Sequence, residues 1–461
     1  MRGNPGLIEP GARCAGVMDE LTFSSERGTN TTRYHRYVLG SSSITGEEAF
    51  NQNNMVREST TDLIRTQSGL TGGQEGYGMQ VVAIGLGGAG CRMVDVLYEK
   101  DRRFGNVTCL DAIAVDQDAG SLNNLIFIPE NQKLFFPLLD PEHADDILEN
   151  ITIEEIIEKL QQLDKGDLDA ILICLGLGGE MADAVPPLIS FIRKAMIEPI
   201  FGLCTLPCLS EGSARSARAA DDLDSFTPLF DGIILFDNEH LYPKVQAAAR
   251  LQTVPVKKPL LPGFAKGRST DSRPPGRYDG INELIAQRFG LLLRAGEFHQ
   301  DRGPDIGEVV LDTGEVLNTM KGMGYISIGY AAEEVLPSAG FDVVRRFRIP
   351  GTRFEDSHNK AARMVQLARK AVHDEMSVQC DLASAQKALI LIAGPNHEIS
   401  MKGYMTVRKW IDRSIAGMEV RSGDYPLKNS RYVAVLILLA GITTIPRLDE
   451  IRQIRDQAQT V

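Results

Sequence analysis

The sequence predicts an α/β fold: a doubly wound, parallel-sheet domain joined by one long helix to a smaller α+β domain. Three observations predict it. From Met79 onward, apolar strand-like runs alternate with segments of helical spacing, which is the pattern of successive strand–helix–strand units. Two of those strands end in glycine clusters, "GLGGAG" at 85–90 and "GLGG" at 176–179. A long apolar-faced segment, 278–298, then separates the first set of strands from a second.

Taken in order, residues 1–78 are rich in Gly, Ser, Thr, Asn and Arg, show no sustained period, and read as a disordered extension. "MQVVAIGLGGAG" is a buried strand running into a glycine turn. The helix after it carries Met93, Val94, Val96 and Leu97 on one side and stops at Gly105. Further strands are expected at 110–116, 169–176, 198–207 and 230–238, with helices at 151–163 and 184–196 between them. Residues 241–277 are rich in Pro, Gly and Lys/Arg and read as a surface excursion. In the segment 278–298, Ile281, Leu284, Ile285, Phe289 and Leu292 share a face, so this helix should lie against the sheet and close a first domain spanning 79–298. "GYISIGYA", "KALILIAGP" and "RYVAVLILLAGI", with helical runs at 359–376 and 401–415, form a second domain over 299–453, followed by a short tail, 454–461.

The bulk numbers exclude several function classes. The 461-residue chain carries 49 Lys and Arg against 61 Asp and Glu, a formal net charge of −12, which disfavours nucleic acid as a partner. Seven scattered cysteines read as reduced thiols, and Cys204 and Cys208 lack nearby histidines, so no metal site is expected. No stretch has the roughly 18 uninterrupted apolar residues of a membrane helix, and the N-terminus lacks a signal-peptide core. A cytoplasmic location is expected.

The glycine clusters leave three readings open. "GLGGAG" fits a dinucleotide loop with Asp116 as a ribose-binding acid, a mononucleotide loop, or a tight strand–helix turn. Two glycine loops at neighbouring strand ends suit a nucleotide polyphosphate better than a dinucleotide, and no catalytic His, Tyr or Lys arrangement supports an oxidoreductase.

"AIGLGGAG", "LGLGG", "LP…SEG" (206–212), "LFDN" (235–238), "YDGINELIAQRFG" (278–290) and "VVLDTGEVLNTMKGMGYISIGYA" (309–331) follow one another as they do in the tubulin/FtsZ superfamily. "LILIAGP", "RKWI", "MEVRSGDYP" and "GITTIPRL" resemble its archaeal CetZ branch in particular. The resemblance implies a cytoskeletal, cell-shape protein that binds GTP or GDP, with Mg²⁺, and polymerises head to tail with itself or with another tubulin/FtsZ-like protein. It implies that Gly87, Gly88, Ala89, Gly90, Cys91 and Arg92 form the first phosphate loop and that Gly178 and Gly179 belong to a second. Glu211 would accept from the ribose, and Asn238 and Asn282 would contact the nucleoside, an amide being able both to donate and to accept at a guanine edge. Asp312 and Glu315 would reach the nucleotide of the next subunit and align the attacking water. The alternative for these two acids is that they merely favour the dipole of a helix's first turn.

The sequence also departs from that family. Gly178, Gly179, Glu180, Met181, Ala182, Asp183 and Ala184 replace a loop of glycines and hydroxyls, and an acidic stretch at 128–150 replaces another glycine-rich loop. Arg218 stands where an Asn is expected. One carboxylate about 4 Å from a phosphate costs about 4 kcal/mol at an effective dielectric of about 20, on the order of a thousandfold in affinity. Slow hydrolysis is therefore expected, or else a nucleotide-independent member that co-assembles with an active relative.

Overall fold

The computed structural model describes residues 78–104, 108–137, 151–252, 276–295, 311–335, 352–426, 430 and 432–460. The N-terminal extension before Gly78, residues 138–150 of the acidic stretch and residues 253–275 of the expected excursion lie outside the described residues; residues 241–252 of that excursion are not a loop but the greater part of a helix, Asn238–Gln252.

Among the described residues, ten strands form one sheet in the order β3-β2-β1-β4-β5-β6-β7-β10-β8-β9. The first six are β1 (Val81–Leu86), β2 (Leu110–Asp116), β3 (Lys133–Phe135), β4 (Ala170–Gly176), β5 (Ile200–Leu206) and β6 (Gly232–Asp237). The others are β7 (Tyr325–Glu334), β8 (Lys387–Gly394), β9 (Glu419–Pro426) and β10 (Tyr432–Ala440). All are parallel except β10, which runs antiparallel between β7 and β8. The central strands are apolar on both sides because helices cover both faces, as parallel sheets require.

Alternation decides which helix meets which residue. Val82, Ile84, Ile171, Ile173 and Ile233 face α3 (Ile153–Leu163), α4 (Val185–Ala195) and α5 (Ser213–Phe226). On the same face, farther along the sheet, lie α9 (Thr352–His373), α10 (Met401–Ser414) and α11 (Pro446–Thr460). Val81, Ala83, Leu172 and Ile234 face α1 (Gly87–Phe104), α7 (Asp279–Leu293) and α8 (Thr313–Met320). The short α2 (Ala119–Asn123) and α6 (Asn238–Gln252) are the other α-helices among the described residues.

The long helix seen in the sequence is α7, and it is buried as expected through Ile281, Ile285, Phe289 and Leu292. Besides the helix over Asn238–Gln252, three further elements were not legible. β3 is only three residues long and its apolar content is slight. β9, "EVRSGDYP", is polar in sequence and is recruited by an eight-residue register against β8. The helix α11 runs through the expected boundary at 453. It is held by Arg452 and Arg455, which pair with Asp224 of α5 at 3.1 and 2.6 Å, and by buried Arg447, whose Nη2 donates to the Pro207 carbonyl at 2.8 Å. The two sequence domains also share the sheet, joined where Ile233 and Ile234 pair with Tyr325 and Ile326.

Phe289 is 2% exposed between α7 and the sheet. Truncation to Ala should lower unfolding free energy by about 3–5 kcal/mol without changing the sheet content, measured by urea denaturation followed by circular dichroism.

Candidate functional site

A cleft of about 400 Å³ opens at the carboxyl ends of β1, β4, β5 and β6, where open parallel sheets bind ligands. Its floor is the turn from β1 into α1. Gly87 has φ 67°, a left-handed conformation that glycine adopts without penalty, and α1 begins there with its free amides toward the cleft. Gly87, Gly88, Ala89 and Arg92 line the cleft. Gly90 and Cys91 do not. A Cβ on Gly90 would fall 2.0 Å from the Cys174 carbonyl oxygen, so Gly90 lets α1 press against β4. The Cys91 thiol is fully buried and donates to the Gly85 and Val115 carbonyls, each at 3.4 Å. Burial pushes its pKa up, which makes it inert.

The residues expected on the nucleoside side also converge. Glu211, Asn238 and Asn282 line the cleft with Thr205, Pro207 and Tyr278. Glu211 Oε1 accepts from the Cys208 amide at 2.8 Å and from the Tyr278 hydroxyl at 2.7 Å, while Oε2 accepts from Arg215 at 2.8 Å. Burial alone would raise the Glu211 pKa, but these donors outweigh it and hold the carboxyl below its ordinary range. Sequence reasoning missed Tyr278. Its signal was the spacing, one helical turn before Asn282 at the start of the long helix. Its ring lies 5.9 Å from that of Tyr242, and the Arg277 guanidinium stands 5.2 Å over it.

The second glycine loop is the departure. Gly178 has φ 74°, and a Cβ there would meet the Arg215 carbonyl oxygen at 2.3 Å. Its amide is not free for a ligand, because it donates to Asp222 Oδ2 at 2.6 Å. Glu180–Ala184 continue as a 3-10 turn that leads directly into α4. Met181 is buried, and its side chain would lie 3.1 Å from a Cβ on Gly87, so a thioether chain packs between the two loops. The two acids have separated: Glu180 stays exposed on the cleft wall, while Asp183 pairs with Arg218 at 3.3 Å and does not line the cleft.

Against this stand polar groups with no hydrogen-bond partner among the described residues. Asp116 Oδ2 and Asn238 Oδ1 are buried in cleft-lining residues. Gln117 Nε2 and Ser121 Oγ are buried beyond β2, and Ser121 Oγ would meet a Cβ on Gly88 at 2.9 Å. Arg92 forms no ion pair among the described residues.

Asp312 and Glu315 lie at the other end of the strands. Their helix α8 ends against the amino ends of β6 and β8: Gly322 N donates to Asp231 O at 2.6 Å, and Lys387 Nζ to Asn318 O at 2.7 Å. Each acid also has structural work. Asp312 Oδ1 caps α8 by accepting from the Glu315 amide at 2.7 Å, and Glu315 pairs with Arg421 of β9 at 3.0 Å.

Comparisons with known proteins show what the chain is similar to. Residues 80–246 match the family model "Tubulin/FtsZ family, GTPase domain", and residues 275–457 match "Tubulin-like CetZ, C-terminal domain". The tubulin-like protein CetZ1 of Haloferax volcanii is 32% identical over 397 residues, spanning 83% of this chain and 93% of that one. Among solved structures, CetZ1 of that organism as a GDP-bound monomer superposes with a TM-score of 0.63 at 29% identity, over 83% of this chain and all of the other (100%). CetZ2 of Haloferax volcanii, as a GTPγS-bound protofilament, gives 0.62 at 26% identity over 83% of this chain and 99% of that one.

Burial pushes the Asp222 carboxyl up to about 6; the Gly178 amide opposes this, Asp183 adds to it and Arg218 opposes it. A carboxyl raised in the folded state destabilises the fold above that pH and ceases to do so once protonated. Asp222→Asn keeps an acceptor for Gly178. It should be more stable than the parent by about 3 kcal/mol at pH 8, and the gain should fade as pH falls from about 6 to about 4, measured as the difference between two denaturation series.

Proposed function

The chain belongs to the tubulin-like CetZ family of the tubulin/FtsZ superfamily, and from that premise we propose that it is a guanine-nucleotide-binding, head-to-tail polymerising protein of cell-shape control whose hydrolysis is slow. The observation that carries the nucleotide is the pair of unpartnered buried oxygens in the cleft, Asn238 Oδ1 and Asp116 Oδ2. Each such atom costs about 1–3 kcal/mol unless something satisfies it. In this reading Asn238 and Asn282 take the guanine edge, the Tyr278 ring stacks on the base, and Glu211 accepts from the ribose. Gly87, Gly88 and Ala89 offer amides at the amino end of α1, and Arg92 adds its charge beside the phosphates. Asp116 Oδ2 is the carboxylate oxygen open to a Mg²⁺ ion carried by the phosphates.

The second loop contributes less than a phosphate cradle does, since the Gly178 amide is committed to Asp222 and Met181 fills the gap toward Gly87. That supports slow turnover. It also favours the second reading, a nucleotide-independent subunit that co-assembles with an active relative.

Head-to-tail stacking is supported by the cleft at the carboxyl ends and α8 at the amino ends of one sheet. Joining two copies end to end brings one copy's Asp312 and Glu315 toward the other's cleft, where they align water on the terminal phosphate. In the single subunit both carboxylates are held by the helix cap and by Arg421, so turnover waits on assembly. The protofilament form of the CetZ2 relative supports this arrangement.

Titration of the purified protein with GTP or GDP in Mg²⁺ should show binding in the micromolar range, weakened by Asn238→Ala. No binding at millimolar nucleotide, with filaments still visible by electron microscopy, would establish the second reading instead. Glu315→Gln should bind GTP like the parent yet lose GTP turnover by at least about a hundredfold; retained turnover would remove this residue from the mechanism.

A further inference from the structure

We propose that α10 docks the protein on an anionic membrane surface. The inner face of α10 is committed to the core through Tyr404, Val407 and Ile411. Its outer face carries Lys402, Met405, Thr406, Lys409, Trp410 and Arg413 along one stripe, at spacings of three and four residues, around an open hollow of about 450 Å³. Met401 and Met405 are 40% and 52% exposed. The Trp410 indole is half-buried, with its ring 6.0 Å from that of His373 on α9.

Charge gives the partner its sign. Lys402, Arg408, Lys409 and Arg413, with Arg369 and Lys370 of the adjoining α9, are all exposed. None of the six forms an ion pair among the described residues. Exposed Asp412 is the one acid on α10, and Asp374 closes the turn after α9. This ridge is strongly positive in a chain of net charge −12, so it is a local feature and not a consequence of composition.

The apolar groups choose between anionic partners. A nucleic acid would reward the cations alone and leave the methionines in water. A rigid acidic protein would touch a ridge one helix wide along a line. A headgroup layer is fluid: it wraps the ridge, pairs with the cations and takes Met401, Met405 and the Trp410 edge into the acyl boundary, as interfacial helices do. Each cation within reach of an anionic surface strengthens binding about fivefold. In a head-to-tail filament the stripe repeats once per subunit, so weak single contacts add.

Trp410 is the only tryptophan of the chain, so its emission reports this face and nothing else. The full-length protein should co-sediment with vesicles of three parts phosphatidylcholine to one part phosphatidylglycerol, and far less with phosphatidylcholine alone. Its emission should shift to the blue, and high salt should release it. The surface variant Lys402→Glu/Lys409→Glu/Arg413→Glu should reduce binding at least about tenfold with an unchanged circular dichroism spectrum. Met405→Ser should shrink the blue shift while sparing the salt dependence. The proposal is overturned by absence of binding to the anionic vesicles, by binding that the triple variant leaves intact, or by an equal emission change with a short single-stranded RNA. Self-association abolished by the triple variant, without vesicle binding, would assign the ridge to a second copy and overturn it equally.

Discussion

The structure depends on how closely α1 presses against the sheet. At Gly90 there is no room for a side chain, since an added carbon would fall 2.0 Å from the Cys174 carbonyl oxygen. That contact fixes the axis of α1 over β1 and β4. It thereby sets where the first helical amides emerge and how wide the gap to the next strand end is. Gly87 supplies the left-handed turn that starts the helix without a connecting loop. The cleft is the space left between this fixed helix end and the 176–184 segment, so any bulk at Gly90 would displace the site before touching a ligand.

The answer to the acidic loop lies in how it is folded. Met181 is buried and packs toward Gly87, the Gly178 amide turns to Asp222, and Asp183 leaves the cleft for Arg218. Of the two carboxylates that sequence places beside a phosphate, only Glu180 faces the cleft, and it is exposed, where solvent screens it. The electrostatic penalty on a bound anion is therefore smaller than two close acids imply. The loss of backbone donors is correspondingly larger. Three unpartnered groups, Asp116 Oδ2, Gln117 Nε2 and Ser121 Oγ, sit instead at the end of β2 beside the start of α1, so polar capacity is left over near the first loop and not the second.

One sheet links the two ends of the proposed assembly. β6 leads into Asn238 at the cleft and begins beside α8, so one strand connects the residue proposed to meet the nucleoside with the helix that carries Asp312 and Glu315. Arg447 of the last helix reaches the Pro207 carbonyl and Asp237 at the same cleft edge, with Nε 3.4 Å from Asp237. The chain beyond α7 thus buttresses a cleft that it does not line.

The sequence by itself determined the apolar strands, the glycine turns and the apolar stripe of the long helix, because each is a local pattern whose period states its structure. It also determined residue types of the cleft: Gly87, Gly88, Glu211 and Asn238 follow strand ends that share one edge of a parallel sheet, and Asn282 joins them from α7. Tertiary structure decided the rest. β3 and β9 have too little apolar signal to be strands until a neighbour supplies hydrogen bonds, and α11 is fixed by ion pairs across more than two hundred residues of chain. The fates of Gly178, Met181 and Asp183 were likewise invisible, since each is set by a partner far along the chain, Asp222, Gly87 or Arg218. Spacing can place a carboxylate in a loop; only packing decides which way it faces.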